Sequence, residues 1–318
     1  MQVSTYPKAE IAAGARPVVT LGNFDGVHLG HQRLIHAVVD LAGVTGGPSI
    51  AVTFEPHPVS VLRPEAAPKR IITPEQKQEL IAALGVDLLV VIPFTPELSR
   101  KEPAEFVHQV LVEKLRAAEV ILGGNFRFGR QRAGDLATLR ELGEKEGFRV
   151  REIAPTFHEG RLISSSAIRA ALVEAKVQEA AAMLGRPYFV DGRVVPGDGR
   201  GAQIGFPTAN LELTGDLLLS DGVYVTSARL GETGGAYSVH SGMSHIGRRP
   251  TFGIETRAVE THLFDFSGEI YGRDLRLFFH QRLRGTVAFE SGEALRRQLA
   301  RDQEQARAFF GAAPPVVL

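Results

Sequence analysis

In the first half of the chain, short apolar runs alternate with stretches of helical spacing. The apolar runs have the length and β-branched content of buried strands, and they occupy residues 18–21, 48–54, 86–92, 120–124 and 148–153. Helical spacing of apolar positions is found at 29–38, 73–84, 103–116 and 135–146. At residue 73, Thr-Pro-Glu-Gln is typical of a capped helix start with proline in the first turn. Strands that alternate with helices predict an α/β domain with a parallel sheet.

After Gly185-Arg-Pro187 the periodicity changes. Short β-branched and aromatic runs, separated by glycine turns, occupy residues 188–195, 222–229, 236–242, 258–266 and 274–280. This spacing predicts an antiparallel barrel or sandwich, and the barrel is the form we expect. Residues 291–310 return to helical spacing, and this helix is expected to pack on the barrel. We therefore predict two domains, 1–184 and 185–318.

The composition is that of a soluble globular protein, because 44% of the 318 residues are hydrophobic and 23% are charged. The 36 basic and 36 acidic residues cancel, which argues against a nucleic acid or a membrane surface as partner. The sequence has no cysteine, which excludes disulfides and thiolate chemistry. No apolar run approaches the roughly 18 residues of a membrane span, and no secretory leader is evident. The cytoplasm is the expected location, and the oligomeric state stays open.

A strand, a glycine-rich turn and a helix start follow one another between Val18 and Ile35. Such a helix start attracts phosphate, because its first N–H groups lack partners within the helix and its dipole is positive there. His28 and His31 stand three residues apart at this point, so both can face one ligand. An imidazole donates a hydrogen bond to a phosphate oxygen, and a charged imidazole adds attraction.

The same histidines have simpler interpretations, since pairs of this kind also occur on protein surfaces and in metal sites. The glycines around them, at positions 22, 26 and 30, favour a phosphate site. A zinc site is disfavoured, because the sequence has no cysteine and no third ligand at a fitting spacing.

Two further segments carry candidate chemistry. Gly123–Gly129 contains Phe126 and Phe128, which would ordinarily be core residues but could also stack on a planar ligand. Serines 164–166 are typical of a helix N-cap, and the same geometry would gather hydroxyls and the Arg169 guanidinium around an anion. Ligands of parallel sheets bind beyond the carboxyl ends of the strands, and three candidate segments follow strands: 22–31, 54–58 and 123–130.

In the second half, a glycine-rich loop spans Gly197–Leu211 and contains Gly-Phe-Pro-Thr-Ala-Asn. Glycine-rich loops also make ordinary turns, so the loop alone is weak evidence. Thr208 and Asn210 add oxygen ligands two residues apart, which suit Mg²⁺ beside phosphates. Glu260 lies on a predicted strand, where a solvated face is the ordinary position of a lone glutamate.

The sequence Gly22-Asn-Phe-Asp-Gly-Val-His-Leu-Gly-His31 resembles the Gly-x-Phe-Asp-Gly-x-His-x-Gly-His signature of the bacterial bifunctional riboflavin kinase/FAD synthetase family. That signature is a variant of the His-x-Gly-His element of nucleotidyltransferases. The resemblance implies a Rossmann-like nucleotidyltransferase domain. Gly123–Gly129 resembles a family segment that helps hold ATP and flavin. Ile163–Arg169 resembles one that contacts ATP phosphates, with Ser166 in place of threonine.

The resemblance implies roles for single residues of the first half. Catalytic roles fall on His28 and His31. ATP- or phosphate-binding roles fall on Gly22, Asn23, Phe24, Asp25, Gly26, His28, Gly30, His31, Asn125, Ser164, Ser165 and Arg169. Flavin-binding roles fall on Phe54, which matches a Phe-x-Pro-His-Pro segment, and on Arg127 and Phe128.

The second half resembles the riboflavin kinase part of the same family through Gly-Phe-Pro-Thr-Ala-Asn, Gly247–Gly253 and Glu260-Thr-His-Leu. The resemblance makes Glu260 the base for the ribityl 5′-hydroxyl. It makes Thr208 and Asn210 the Mg²⁺ ligands, Arg297 a flavin contact, and assigns ATP contacts to Gly197, Gly201, Gly205 and Pro207. The sequence departs from the family pattern at two positions, Ala202 for arginine and His245 for asparagine.

The implied function is bifunctional. Riboflavin and ATP give FMN, and FMN and ATP give FAD and pyrophosphate, with Mg²⁺ bridging phosphates. An FMN phosphate is already anionic at pH 7, so adenylyl transfer rests on positioning and charge neutralisation, whereas a neutral alcohol needs a base. Two alternatives stay open: an FMN adenylyltransferase with a weakened kinase half, and a flavin or nucleotide sensor without turnover.

Overall fold

The computed structural model describes residues 1–197, 199–231, 236–251 and 254–312. The chain separates into two compact units, Met1–Ser165 and Ser166–Leu318. The domain boundary predicted near residue 185 stays a prediction, because the division into compact units does not show where one functional domain ends and the next begins.

The first unit is built on a parallel sheet. Within residues 1–165 its six strands are β1 (Gln2–Thr5), β2 (Val18–Leu21), β3 (Ser49–Glu55), β4 (Leu88–Pro93), β5 (Glu119–Gly123) and β6 (Arg149–Ile153). Their order across the sheet is β1-β4-β3-β2-β5-β6, and every described pairing is parallel. A separate hairpin joins β7 (Phe157–His158) and β8 (Arg161–Leu162).

Helices connect these strands, and those that cover residues 29–38, 73–84, 103–116 and 135–146 lie where the apolar spacing predicts them, whereas the short helices Pro58–Leu62 and Pro96–Ser99 were not predicted. They are α1 (Leu29–Thr45), α2 (Pro58–Leu62), α3 (Pro74–Ala83), α4 (Pro96–Ser99), α5 (Pro103–Phe106) continued by a π-helical segment Val107–Lys114, and α6 (Leu136–Glu146). The capping box at α3 is confirmed, because Thr73 accepts from the Gln76 N–H while the Gln76 side chain accepts from the Thr73 N–H. Short 3₁₀ turns occupy Pro64–Ala66 and Arg130–Arg132.

The strand order creates a switch point between β2 and β5. From β2 the chain continues through β3 to β4 on one side, and then crosses to β5 on the other side. All four residues of β2 are buried, as expected for a strand at the centre of a covered sheet. The crevice beyond the carboxyl ends at such a point is the usual ligand site of an open α/β sheet. It lies here beside the segments that follow β2 and β5.

In the second unit, α7 (Ser165–Val173) and α8 (Val177–Leu184) precede a closed antiparallel barrel. Its described strands are β9 (Tyr188–Val195), β10 (Ala209–Leu213), β11 (Gly222–Gly231), β12 (Tyr237–Thr251), β13 (Ile254–Leu263) and β14 (Asp274–Arg284). The barrel order is β10-β13-β12-β11-β14-β9, with β9 closing onto β10. A short helix α9 (Arg200–Gln203) lies in the glycine loop, and α10 (Gly292–Ala312) packs on the barrel.

The structure corrects the predicted elements at several places. β1 was not predicted, because it is a four-residue edge strand without a buried face. β10 was not predicted either, since it lies inside the segment interpreted as a ligand loop. β12 is longer than residues 236–242, and β13 begins earlier than residue 258. The additional stretches carry arginines and polar residues, so they lack the apolar run on which the prediction rested.

Candidate active sites

In the first unit, the turn after β2 has a backbone that few residue types adopt. Phe24, Gly26 and Val27 have φ values of 48°, 84° and 39°. Positive φ is unfavourable for phenylalanine and still more so for a β-branched valine, so the surrounding contacts must hold the turn in place. Phe24 and Val27 are buried, which supplies that hold. Gly22 is required beside them, because a Cβ there would lie 3.0 Å from the Phe24 ring.

His28 is the N-cap of α1. Its Nδ1 accepts a hydrogen bond of 3.3 Å from the His31 N–H, which satisfies one of the free donors of the helix start. Because Nδ1 is the acceptor, neutral His28 carries its proton on Nε2. Gly30 allows this arrangement, since a Cβ at residue 30 would lie 3.2 Å from the His28 ring.

His31 stacks on His28, with ring centroids 3.6 Å apart and an interplanar angle of 15°. The edge of Phe24 also contacts the His31 ring. Burial holds the pKa of His31 well below its ordinary value, and the nearby charges of His28 and Lys77 lower it further. His31 is therefore neutral at pH 7. Its Nδ1 is buried and has no hydrogen-bond partner among the described residues.

Two side chains fix the turn to its neighbours. The Asp25 carboxylate accepts from the Ile71 N–H at 3.1 Å and from the Ile72 N–H at 3.3 Å. This contact ties the turn to the segment just before α3. Ser165, the last residue of the first unit, donates a hydrogen bond of 2.9 Å to the Asp25 carbonyl oxygen. These contacts are structural, and they bring the serines at 164–165 close to the turn at residues 22–31.

The remaining residues of this region are spread over three segments. Thr53 donates to the Asn23 carbonyl at 3.3 Å, and the Asn23 amide lies 3.3 Å from His57 Nε2. Asn125 is exposed, whereas Ser164 and Arg169 are half-buried.

The phenylalanines after β3 and β5 belong to one aromatic cluster. Phe54 and Phe106 have ring centroids 6.4 Å apart, Phe106 and Phe128 6.0 Å, and Phe126 and Phe128 5.7 Å. Phe128 is buried in the core, whereas Phe54 and Phe126 are half-buried. Of this cluster, Phe54 and Phe126 are thus the rings with exposed surface. Arg127 is exposed and donates to the Phe126 carbonyl oxygen at 2.9 Å.

A buried lysine near the histidines was not predicted. Lys77, on α3, donates to a Glu55 carboxylate oxygen at 2.6 Å, and Glu55 also pairs with Arg70 at 3.0 Å. The sequence carries no signal for this burial, because a lysine in the second turn of an amphipathic helix is ordinarily solvated. Only the tertiary contacts of Lys77 with Thr53 and Glu55 of β3 reveal it.

In the second unit, three candidate residues form one row across adjacent strands. The register pairs Asn210 of β10 with Glu260 of β13, and pairs Glu260 with His245 of β12. Directly opposed residues project from the same face of a sheet, so the three side chains share one face of the barrel. Asn210 is buried, and Glu260 and His245 are half-buried.

Burial lowers the pKa of His245 below its ordinary value. The Glu260 carboxylate raises this pKa again, Arg284 lowers it, and Asp221 raises it. The register places the Glu260 carboxylate directly opposite His245, which accounts for this effect. His245 is neutral at pH 7 as a result, so Glu260 has an uncharged imidazole beside it.

The glycine loop of the second unit closes tightly over the two predicted metal ligands. A Cβ at Gly197 would collide with the Asn210 amide, and a Cβ at Gly201 would collide with the Phe206 carbonyl and lie 3.4 Å from Thr208 Oγ1. Gly205 has a φ of 85°, which favours glycine. After it, the Pro207 carbonyl oxygen lies 2.8 Å from His262 Nδ1. The loop therefore places hydroxyl and amide oxygens within a glycine cradle, and such oxygen donors fit Mg²⁺.

Other predicted residues of this unit lie apart from the row. Arg297 is exposed on α10. On the same helix, Asp302 is buried, and its Oδ2 accepts hydrogen bonds from Arg284 Nε at 2.9 Å and from Arg284 Nη2 at 2.8 Å. Ala202 is exposed in the glycine loop. The motif Gly247–Gly253 extends along β12, but its residues 252 and 253 lie outside the described residues.

A parallel sheet with a histidine-capped helix at its switch point, followed by a closed barrel with a glycine cradle, defines a two-domain nucleotide-dependent transferase. Two family models match the chain, FAD synthetase over residues 11–167 and riboflavin kinase over residues 184–310. The chain belongs to the family of bifunctional riboflavin kinase/FMN adenylyltransferases, which confirms the resemblance.

Relatives with that name cover nearly the whole chain. The protein of Escherichia coli K12 is 35% identical over 94% of this chain and 94% of its own length. The protein of Pseudomonas fluorescens is 38% identical over 92% of both chains. A crystal structure described as a macrolide-efflux protein from Streptococcus pneumoniae has a TM-score of 0.85 and 28% identity, and the match covers 96% of this chain and 99% of that one.

Two features are absent from the described residues. None of their helices is both long and apolar enough to cross a lipid bilayer. They also contain no cluster of three histidine, aspartate or glutamate side chains arranged to hold a metal ion.

Proposed function

We propose that this chain phosphorylates riboflavin to FMN in its barrel unit and adenylylates FMN to FAD in its parallel-sheet unit. The observation that carries the proposal is that the FAD synthetase and riboflavin kinase models match the chain in this order. ATP is the co-substrate of both reactions. The functional boundary lies near residue 185, and the protein works in the cytoplasm without a nucleic-acid or membrane partner.

In adenylyl transfer, an FMN phosphate oxygen attacks the α-phosphorus of ATP. A P–O bond to that phosphorus forms, the bond to the β-phosphate oxygen breaks, and its electron pair leaves with pyrophosphate. The nucleophile needs no base, so the protein contributes position and charge. His28 donates from Nε2 to a phosphate oxygen, and the free N–H groups at the start of α1 face the same anion.

His31 acts in this reaction as a neutral donor. Because its pKa is lowered, the ring carries one N–H, which orients a phosphate oxygen by a hydrogen bond but adds no net charge. Ser164 and Ser165 bind the phosphates, and the family motif that contains them assigns the same role to Arg169. Phe54, Arg127 and the cluster around Phe128 form the flavin side of the site, and Asn125 lies on the ATP side.

In the kinase reaction, Glu260 removes the proton of the ribityl 5′-hydroxyl as the oxygen attacks the γ-phosphorus of ATP. The new P–O bond forms while the bond to the β-phosphate oxygen breaks, and ADP leaves with that electron pair. A neutral alcohol requires such a base, and Glu260 lies in one row with the polar side chains of Asn210 and His245. Arg297 is proposed as a flavin contact from α10.

Thr208 and Asn210 would hold Mg²⁺ beside the ATP phosphates of the barrel unit. Their oxygens fit this hard cation, and the glycines at 197 and 201 permit close approach of the loop. When bound, the ion would neutralise phosphate charge and polarise the γ-phosphoryl group. Backbone groups at Gly205 and Pro207 complete the ATP side of this loop.

The test is incubation of the pure protein with riboflavin, ATP and Mg²⁺, followed by separation of the flavins. We expect FMN to form first and FAD to follow. Glu260→Gln should abolish FMN formation while FAD still forms from supplied FMN, and His28→Asn should have the opposite effect. FMN without FAD from the wild type would refute the first-unit assignment, and FAD from supplied FMN alone would refute the second. Flavin binding without ATP consumption would support a sensor.

A further inference from the structure

Lys77 has an ammonium group whose hydrogen-bonding capacity is not filled within the protein. Its side chain is 7% exposed. The ammonium carries three N–H donors. Among the described residues it has two acceptors, Glu55 Oε1 at 2.6 Å and Thr53 Oγ1 at 3.4 Å. A buried charged donor without an acceptor is costly, so the third N–H indicates a partner that is not part of the chain.

The position of this ammonium is fixed relative to the turn after β2. Thr53, which accepts from Lys77, donates its own proton to the Asn23 carbonyl. Asp25 binds the N–H groups of Ile71 and Ile72, just before the helix that carries Lys77. Two sets of contacts thus connect the start of α3 to the turn after β2, and they hold Lys77 near the histidines.

Electrostatics supports the same placement. The charge of Lys77 is one of the causes that lower the pKa of His31, after burial and the charge of His28. That effect requires the ammonium to lie within Coulombic reach of the imidazole. A phosphate oxygen that accepts from His31 is therefore also within the electrostatic field of Lys77.

We propose that Lys77 is a further phosphate-binding residue of the adenylyl-transfer site, and that its third N–H binds the departing pyrophosphate. This inference rests on the proposed function of the first unit. As the bond between the α-phosphorus and the β-phosphate oxygen breaks, negative charge accumulates on pyrophosphate, and the ammonium neutralises it. Glu55 keeps the lysine in position when no phosphate is bound.

The reverse reaction isolates this contact, because it uses pyrophosphate and FAD and involves no kinase chemistry. FAD and pyrophosphate give ATP and FMN, so the Michaelis constant of pyrophosphate reports the phosphate site directly. In Lys77→Met we expect this constant to rise by about tenfold to a hundredfold, the effect of one charge-assisted hydrogen bond. The Michaelis constant of FAD should change little. Lys77→Arg should recover part of the loss.

Glu55→Gln provides the opposite charge change. It retains an acceptor for Lys77 but removes a negative charge, so we expect the Michaelis constant of pyrophosphate to fall. Lys8→Met is the matched control, because it removes a lysine charge from an exposed position of the same unit and should leave both constants unchanged. Riboflavin phosphorylation by each variant reports whether the second unit is intact.

A purely structural ion pair predicts a different outcome. Lys77→Met and Glu55→Gln would then both lower stability, and neither would change the Michaelis constant of pyrophosphate. That result would overturn the inference. If Lys77→Met fails to fold, an unchanged Michaelis constant of pyrophosphate in Glu55→Gln would overturn it as well. If the wild type produces no ATP from FAD and pyrophosphate, the proposed function of the first unit fails instead.

Discussion

His262 Nδ1 and the Pro207 carbonyl oxygen are 2.8 Å apart, so a residue of β13 holds the loop that leads to Thr208. A carbonyl oxygen only accepts, and His262 therefore donates from Nδ1. His262 lies two residues after Glu260 on the same strand and projects from the same face. One strand thus carries the proposed base and also fixes the loop that carries a proposed metal ligand.

Removing this hydrogen bond should weaken ATP binding in the kinase reaction. In His262→Leu, we expect the Michaelis constant of ATP for FMN formation to rise by about threefold to tenfold, with a smaller change in kcat, because one neutral hydrogen bond is lost. Steady-state assays of FMN formation would measure it. FAD formation from supplied FMN by the same variant is the control. A drop in kcat with an unchanged Michaelis constant would contradict the positioning role.

The neutral state of His31 can be observed directly. Because burial lowers its pKa, and the neighbouring His28 and Lys77 lower it further, its ring should remain neutral well below pH 6.5. Titration of the ¹⁵N-labelled imidazole by NMR would measure this pKa. Lys77→Met should raise the pKa of His31, because the neighbouring Lys77 cation is removed. A ring that titrates at the ordinary value in the wild type would show that the stacked pair is not buried as described.

His31 should also be necessary for adenylyl transfer. In His31→Ala, we expect FAD formation to fall by about a hundredfold or more, as for the loss of a transition-state donor in other enzymes. FMN formation by the second unit should be retained, which makes the kinase reaction an internal control for protein quality. Equal losses in both reactions would point to misfolding rather than to a missing donor.

Much of the fold follows from local sequence signals, and the exceptions have physical causes. The strand–turn–helix from Val18 and the capping box at Thr73 are determined by residues close in sequence, and both are confirmed. The row of Asn210, Glu260 and His245 could not be predicted, because it depends on the register between strands far apart in the chain. The burial of Lys77 is likewise a tertiary effect. Family motifs identified Glu260 as a candidate but did not predict which side chains lie beside it.

His245 allows a test of the weakened-kinase alternative. It lies directly opposite Glu260 and is a departure from the asparagine that the family pattern has at this position. Since the imidazole is neutral at pH 7, it places no positive charge beside Glu260 that would weaken this carboxylate as a base. We expect His245→Asn to change kcat of FMN formation by less than about threefold. A gain of about tenfold or more would show that the histidine restrains the kinase.

His280, a half-buried histidine of β14, should make stability depend on pH. Its Nε2 lies 2.8 Å from Ser227 Oγ, and its ring contacts Phe309 and Phe310 of α10. Burial lowers the pKa of His280 from 6.5 to about 4. Between these two values the unfolded chain binds a proton and the folded chain does not. Stability is therefore fully present above pH 6.5 and is lost as the pH falls toward 4.

By this linkage, His280 should account for about 2 kcal/mol of the difference in unfolding free energy between pH 7 and pH 5. Urea unfolding followed by circular dichroism at both pH values would measure it. In His280→Phe this share of the pH dependence should disappear, because phenylalanine does not titrate. His36→Gln is the control at an exposed histidine of the first unit, and it should retain the full difference. A His280→Phe protein as sensitive to acid as the wild type would show that the imidazole is accessible to protons in the folded state.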